Sequence, residues 1–275
     1  MSIILEDEFG DVISKARSGK GLDAGEVAGA SGVSAGDLAR MEGYELMPED
    51  GVIRRLAEVL GLGGERLIDL ARGHWLPPDE LLDTEAVRVR RIPVGGRYKA
   101  NAYVLECVRT KDGAIVDPGD EPDRILDVVR ETGVSPKHIL ITHGHGDHTG
   151  ALPAVKRATG ARVWVHREEG VSADEVVDDG DVIEIGALQA VVRHLPGHTS
   201  GSVAFVMDGG AFTGDTLFAG SLGRARGTEM YRRMLDAVRA KLFALDEGTA
   251  LFTGHGPATT VGEEKRHNPF FPDMG

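Results

Sequence analysis

The spacing of apolar residues changes once along the chain, near residue 80. Before that point apolar side chains recur every three or four residues, as in Phe9, Val12, Ile13 and Ala16. Side chains at this spacing share one face of a helix, so the pattern predicts helices. Further helix-like runs, each followed by glycine or a polar break, lie at 24–30, 34–41, 50–60 and 64–72. Residues 1–78 are therefore predicted to be all-α.

From residue 85 the pattern is that of strands alternating with helices. Val87–Ile92 alternates apolar and polar residues, as a half-exposed strand does. Strands are predicted at 87–92, 101–108, 114–117, 138–142, 162–166, 181–185, 188–194, 202–207, 211–215 and 250–253, and helices at 122–132, 151–159 and 229–245. This alternation predicts an α/β domain of two sheets flanked by helices over residues 85–275. Two prolines, Pro77 and Pro78, favour an extended connection, and we assign 79–84 to a linker.

Charge and composition limit the partners of this protein. The chain has 31 basic and 44 acidic residues, a net charge of −13, which disfavours binding to nucleic acid. The first residues are acidic where a signal peptide is basic, and no apolar run is long enough to span a membrane. Cys107 is the single cysteine, so a disulfide within one chain is excluded. We expect a cytoplasmic protein.

Four potential metal ligands lie within six residues, directly after the predicted strand at 138–142. They are His143, His145, Asp147 and His148. Residues two apart in an extended segment point the same way, so His143 and His145 can bind one ion. The intervening glycines allow a turn that would direct Asp147 and His148 towards a second ion.

Three later strands also end in a potential ligand beside a glycine: His198, Asp215 and His255. A single histidine after a strand is usually an ordinary surface or core residue. The joint pattern carries the prediction, because seven nitrogen and oxygen ligands at strand ends match two metal ions.

The order His-x-His-x-Asp-His, followed by Gly-His, Gly-Asp and Gly-His, resembles the metallo-β-lactamase fold. The stretches 211–220 and 254–270 are similar to the short glyoxalase II-like branch of that family. The resemblance covers residues 85–275 and implies an αβ/βα sandwich. By position it implies a first metal held by His143, His145 and His198, a second held by Asp147, His148 and His255, and a bridging ligand, Asp215.

The resemblance also implies a chemistry. Two divalent ions are the expected cofactors, zinc foremost, with iron or manganese as alternatives because His/Asp sites accept all three. A hydroxide shared by the two ions would attack the acyl carbon of acyl-glutathione or a related acyl thiol. Asp147 is expected to orient that hydroxide as a catalytic residue.

Other residues are expected to support this site. Asp117, Thr142 and Thr199 are candidates for holding the imidazole rings in place. Arg224 lies where the family binds the thiol carrier, so it is predicted to bind substrate, and Arg226 is its neighbour.

The helical part has a resemblance of its own. Residues 22–42 and 53–62 resemble the helix-turn-helix domain of Cro/CI-type repressors. The helix that would contact DNA carries only Arg40 against Asp37 and Glu42, and residues 1–80 contain 8 basic and 16 acidic residues. A duplex is densely negative, so this charge disfavours DNA binding. We expect a module for dimerisation, giving a homodimer, or for docking on the α/β domain.

Three alternatives stay open at this point. Persulfide dioxygenases keep the same motif but use one iron, held by two histidines and one carboxylate. Lactonases and phosphodiesterases are further hydrolases of this fold. A regulator that binds a partner through the helical module is a third hypothesis.

Overall fold

Five short helices build the N-terminal part of the structure, a computed structural model that describes residues 3–96 and 99–274. They are Phe9–Gly19 (α1), Ala24–Ser31 (α2), Ala35–Glu42 (α3), Asp50–Leu60 (α4) and Gly64–Arg72 (α5). The predicted apolar stripes are buried, with Ile13 and Leu56 fully inaccessible. The side chain of Ser34 caps α3 by accepting a hydrogen bond from the Asp37 backbone N–H at 2.9 Å. We call α1–α5 the helical part.

The first sheet contains six strands in sequence order. They are Val87–Val94 (β1), Ala100–Cys107 (β2), Asp112–Val116 (β3), Ser135–Leu140 (β4), Arg162–His166 (β5) and Glu175–Val177 (β6). β1, β2 and β3 are antiparallel, whereas β3 to β6 run parallel. The parallel strands are connected through three helices, Pro122–Thr132 (α6), Gly146–Thr149 (α7) and Leu152–Thr159 (α8), and a 3₁₀ turn at Arg167–Glu169.

The second sheet also has six strands, ordered β14-β13-β10-β9-β8-β7. Its strands are Val182–Ile185 (β7), Leu188–His194 (β8), Val203–Met207 (β9), Gly210–Gly214 (β10), Ala250–Thr253 (β13) and Thr259–Thr260 (β14). A small hairpin, Leu217–Phe218 (β11) and Ser221–Leu222 (β12), follows β10. The helices of this half are Thr228–Ala237 (α9) and Val261–His267 (α10).

Three groups of buried apolar side chains hold these layers together. One lies between the sheets and includes Tyr103, Phe205 and Phe252. A second packs α6 and α8 against the outer face of the first sheet. The third covers the outer face of the second sheet with α9, α10 and the helical part. The αβ/βα sandwich preceded by a small all-α part is therefore confirmed.

The helical part docks on the α/β part through one continuous core. Val12 and Leu67 belong to the same buried group as Met234 and Leu251. Polar contacts cross the same boundary. They include Lys15 Nζ to the Leu222 carbonyl (2.8 Å), Trp75 Nε1 to Glu263 Oε2 (2.7 Å), Gly63 N to the Pro269 carbonyl (2.8 Å), and the Arg66 guanidinium to the carbonyls of Asn268, Phe271 and Met274. We call this boundary the junction.

The connection between α5 and β1 is tied down at Asp79. Its carboxylate accepts from the Arg91 guanidinium at 2.5 and 2.9 Å and from the Ala258 backbone N–H at 2.8 Å. The predicted domain boundaries, with the helical domain ending at residue 78 and the linker at residue 84, stay proposals. No helix in the described ranges is long and apolar enough to span a membrane.

The structure differs from the predicted elements in two ways. In place of the single helix predicted at 229–245, the α-helical part ends at Ala237. A π-helical turn, Val238–Leu242, follows it directly. A π turn takes one more residue than an α turn, and Leu242 and Phe243 are buried here. Several short elements were also not predicted from the sequence: β6, β11, β12 and β14, each of two or three residues, α7, of four, and α10, of seven. Segments this short show too few periods to be recognised.

Candidate metal centre

The seven predicted ligands come together at one edge of the sandwich. His143 and His145 follow β4, and Asp147 and His148 lie in α7. The other three follow β8, β10 and β13, and they are His198, Asp215 and His255. The ends of strands from both sheets meet here, which is where α/β folds gather functional groups.

The first cluster contains His143, His145 and His198 with Asp215. His145 Nδ1 lies 3.1 Å from His143 Nε2 and 2.9 Å from His198 Nε2. Asp215 Oδ2 lies 3.9 Å from His143 Nε2 and 3.5 Å from His198 Nε2. Nitrogen ligands about 2 Å from a tetrahedral zinc ion are about 3.3 Å apart, so these spacings suit one ion.

The second cluster contains Asp147, His148 and His255, again beside Asp215. The Nε2 atoms of His148 and His255 are 3.3 Å apart, and Asp147 Oδ2 lies 3.4 Å from His255 Nε2. Asp215 Oδ1 approaches His148 Nε2 to 3.3 Å, and its Oδ2 approaches His255 Nε2 to 3.5 Å. The Asp215 carboxylate thus faces both clusters.

The second cluster is arranged for a cation. His148 Nδ1 lies 3.1 Å from Asp117 Oδ2, and His255 Nδ1 lies 2.9 Å from the Lys99 carbonyl. Each Nδ1 can donate to its oxygen, which leaves the Nε2 lone pairs facing each other across 3.3 Å. Asp215 Oδ1 is buried without a hydrogen-bond partner among the described residues. Facing lone pairs and an unpaired buried carboxylate oxygen fit a divalent ion.

The electrostatics of the protein without metal support the same conclusion. Burial opposes charge on His148 and His255, but the neighbouring carboxylates outweigh it and raise their pKa values to about 10 and about 11. The hydrogen bond with His255 lowers the pKa of Asp147 to about 2. Burial disfavours the Asp215 carboxylate, yet the nearby histidines hold its pKa well below the usual value. The site stabilises positive charge between ionised carboxylates, as a metal site must.

Asp117 and Thr142, two of the residues expected to support the site, lie against the candidate ligands. Asp117 accepts hydrogen bonds from the Thr142 backbone N–H at 2.8 Å and hydroxyl at 2.5 Å. The same carboxylate faces His148, and the Thr142 hydroxyl lies 3.2 Å from His143 Nδ1. A Cβ at Gly214 would lie 2.3 Å from the Thr142 hydroxyl, so only glycine fits there.

Thr199 has a different partner from the one expected, and several residues that contact the candidate ligands were not anticipated from the sequence. Thr199 donates its hydroxyl to Glu169, a residue that the sequence analysis missed. Glu169 follows a strand and stands beside another acid, Glu168, so nothing in the sequence distinguishes it. The carbonyls of Lys99 and Arg224, which lie 2.9 and 3.1 Å from the Nδ1 atoms of His255 and His198, were also missed. Every residue has a backbone carbonyl, so the residue type does not indicate which carbonyl will contact a histidine.

A cavity of about 440 Å³ opens beside the first cluster and is lined by His145, His198, Arg226 and Met230, among others. Arg224 does not line it; its guanidinium Nη1 lies 3.3 Å from the Ser18 hydroxyl of the helical part. A larger cavity of about 690 Å³ lies between the N-terminal segment and Gly256, and none of the seven ligands lines it.

Family models match both parts of the chain. Residues 95–257 match the model of the metallo-beta-lactamase superfamily, and residues 8–70 match a helix-turn-helix domain. The chain is 33% identical over 187 residues to hydroxyacylglutathione hydrolase GloC of Haemophilus influenzae, covering 58% of this chain and 87% of that protein.

Two solved structures share the fold and part of the sequence. ETHE1 from Myxococcus xanthus superposes with a TM-score of 0.63 at 29% identity, covering 68% of this chain and 85% of that one. TTHA1623, solved in a di-iron-bound form, superposes with a TM-score of 0.55 at 32% identity, covering 65% and 99%.

Proposed function

Because the chain belongs to the metallo-beta-lactamase superfamily, we propose that it is a binuclear metal-dependent hydrolase that cleaves thioesters. The observation that carries the proposal is the pair of ligand clusters sharing Asp215. Similarity to a hydroxyacylglutathione hydrolase supports acyl-glutathione, or a related acyl thiol, as the substrate class.

The first ion would be held by His143, His145 and His198, the second by Asp147, His148 and His255, and Asp215 would contact both. Bound there, divalent ions supply a water activated at neutral pH and offset the charge that develops on the acyl oxygen. We propose zinc, with iron or manganese as alternatives.

The proposal gives Asp147 the role of orienting the attacking water. Its side chain is 45% exposed, so solvent reaches it, and its low pKa of about 2 keeps it ionised at neutral pH. A carboxylate can then accept a hydrogen bond from the water and fix its direction of attack.

The substrate would enter through the cavity beside His145 and His198. Arg226 places a permanent positive charge on its wall and Met230 an apolar surface, which suits a thiol carrier that bears a carboxylate. Binding of substrate by Arg224 stays a prediction. In the substrate-free protein its carbonyl lies against His198 Nδ1, and its side chain reaches the helical part.

The test is thiol release from a panel of acyl thiols. Zinc-loaded protein should hydrolyse S-lactoylglutathione or another member of the panel, and the His198→Ala variant should not. No turnover across the panel would contradict the proposal. One bound iron with oxygen uptake on glutathione persulfide would favour the dioxygenase instead.

A further inference from the structure

We propose that Glu169 is a positioning residue that sets the spacing of the first cluster by bridging the two loops that carry its histidines. The inference rests on the proposed metal centre but not on the identity of the substrate, because it concerns how the ligands are held. Glu169 ends the 3₁₀ turn after β5 and is half-buried.

The carboxylate of Glu169 makes one hydrogen bond to each loop. Its Oε2 accepts from the Gly144 backbone N–H at 2.6 Å, and Gly144 lies between His143 and His145. Its Oε1 accepts from the hydroxyl of Thr199, which follows His198. One rigid carboxylate therefore connects the backbone around all three histidines of the cluster.

The Thr199 end of this bridge is itself fixed. Its hydroxyl lies 2.6 Å from Ser202 Oγ, and its backbone N–H donates to the same oxygen at 3.1 Å. Ser202 is 3% exposed and directly precedes β9. The carboxylate is thus connected to a buried strand end, so it transmits the position of the second sheet to the Gly144 loop.

The backbones of the two loops pack closely against Glu169. A Cβ added at Gly144 would lie 2.6 Å from the Glu169 carbonyl oxygen. One added at Gly201 would lie 2.7 Å from Glu169 Oε1. Both glycines allow the backbone of a ligand loop to pack directly on this residue.

The spacing of a metal cluster is sensitive to such support. Ligand distances must agree to about 0.2 Å, and loss of a residue that orients the ligands costs about 10- to 100-fold in metal affinity. Loss of Glu169 would leave the Gly144 N–H and the Thr199 hydroxyl without their acceptor, and would free the His145 loop from the His198 loop.

Substitutions can separate bridging from charge. Glu169→Ala removes both hydrogen bonds. Glu169→Gln keeps them, because its oxygen can accept from Gly144 while its amide donates to the Thr199 oxygen, which can turn its hydrogen to Ser202. Glu168→Ala is the matched control: Glu168 lines the same cavity and is exposed, and its contact with His166 uses its backbone N–H.

The experiment measures zinc affinity calorimetrically in two backgrounds, without substrate. His255→Ala leaves the first cluster intact, and His198→Ala leaves the second. We expect Glu169→Ala to weaken zinc binding about 10- to 100-fold in the His255→Ala protein and to change it less than about 2-fold in the His198→Ala protein. Glu169→Gln should recover most of the loss, and Glu168→Ala should leave both affinities unchanged.

Equal losses in both backgrounds, or no loss in either, would overturn the proposal, and so would a Gln variant as weak as the Ala variant. If Glu169→Ala does not fold, Thr199→Val and Thr199→Ser replace it. Valine should weaken only the first cluster and serine should not, and equal behaviour of the two overturns the proposal. Failure of thioester hydrolysis would leave these affinities unchanged, so the two proposals fail separately.

Discussion

The junction and the metal centre both bury charged groups, but the two sites differ in whether those groups have hydrogen-bond partners. At the junction, Asp7 accepts hydrogen bonds from Lys15 and from the Ser221 hydroxyl, and Lys15 also donates to the Leu222 carbonyl. At the metal centre, Asp215 Oδ1 has no hydrogen-bond partner among the described residues, and two histidine nitrogens face each other. Buried polar groups that hold parts of a fold together satisfy one another, whereas a buried polar atom without a partner points to an ion or ligand that binds there.

The helical part matches a helix-turn-helix domain in sequence, but its third helix carries little positive charge. Residues 8–70 match a helix-turn-helix model, and the helices observed there agree with the all-α domain that the resemblance implies. The outer face of α3 presents Ala35, Gly36 and Ala39 with a single basic residue, Arg40, which pairs with Asp37. In the part of the chain that the structure describes, this face thus carries one basic residue beside an acid, which is a poor match to the dense negative charge of a duplex.

The largest effect is expected at the ligand shared by both clusters. Asp215→Asn should lower thioester hydrolysis by at least about 1,000-fold, roughly 4 kcal/mol of transition-state stabilisation, because a neutral amide is a poor bridging ligand. Steady-state kinetics and metal content measure it. Asp208→Asn, an exposed change in the turn between β9 and β10, is the control and should have no effect. A fully active Asp215→Asn protein would show that this carboxylate is not a ligand.

At the junction, Lys15→Met should destabilise the fold by about 3–5 kcal/mol, because it leaves the Asp7 carboxylate buried without a cation. Denaturant unfolding of the metal-free protein measures this change. The exposed pair Arg54–Glu65 provides the comparison, and Arg54→Met should have no measurable effect. Similar losses for the two variants would refute the distinction between buried and exposed pairs.

A second buried carboxylate near the junction, Glu264, has three hydrogen-bond donors but no cationic partner among residues 3–96 and 99–274. It accepts from Thr259, Asn268 and the Gly220 N–H, yet burial raises its pKa to about 7. The folded state therefore retains this proton where the unfolded state has lost it. This contribution to stability is full below the unfolded pKa of about 4.5 and is lost as the pH rises through 7, roughly 3 kcal/mol in all.

Glu264→Gln should remove that decline, and unfolding free energies between pH 4.5 and 8 test it. The quantity to compare is the slope of the unfolding free energy against pH, in the variant and in the native protein. An unchanged decline in the variant would assign it to another group.

The smallest effect is expected for nucleic acid. The acidic surface of the helical part predicts no sequence-selective retardation of DNA fragments at low salt. A gel-shift series with a pool of random duplexes measures it. Selective retardation would mean that the helical part has kept the function of its family.

Much of this structure could be predicted because its signals are local. Long periodic segments such as 122–132 and 188–194 match α6 and β8. The candidate ligands could be proposed from the sequence because histidine and aspartate beside glycine at strand ends form an unusual pattern, and the structure brings them together. Glu169 and the carbonyls of Lys99 and Arg224 could not be found, because their roles depend on contacts between segments that are distant in sequence. The docking of the helical part was one of two alternatives, since apolar spacing does not say which surface covers a helix.

We propose that the two clusters that share Asp215 act as one catalytic centre. Titration of metal-free protein with zinc, followed by hydrolysis of the best acyl thiol, tests it most directly. We predict that activity rises to a plateau at about two ions per chain. Full hydrolytic activity at one ion per chain, or activity only with a single iron and oxygen, would contradict it.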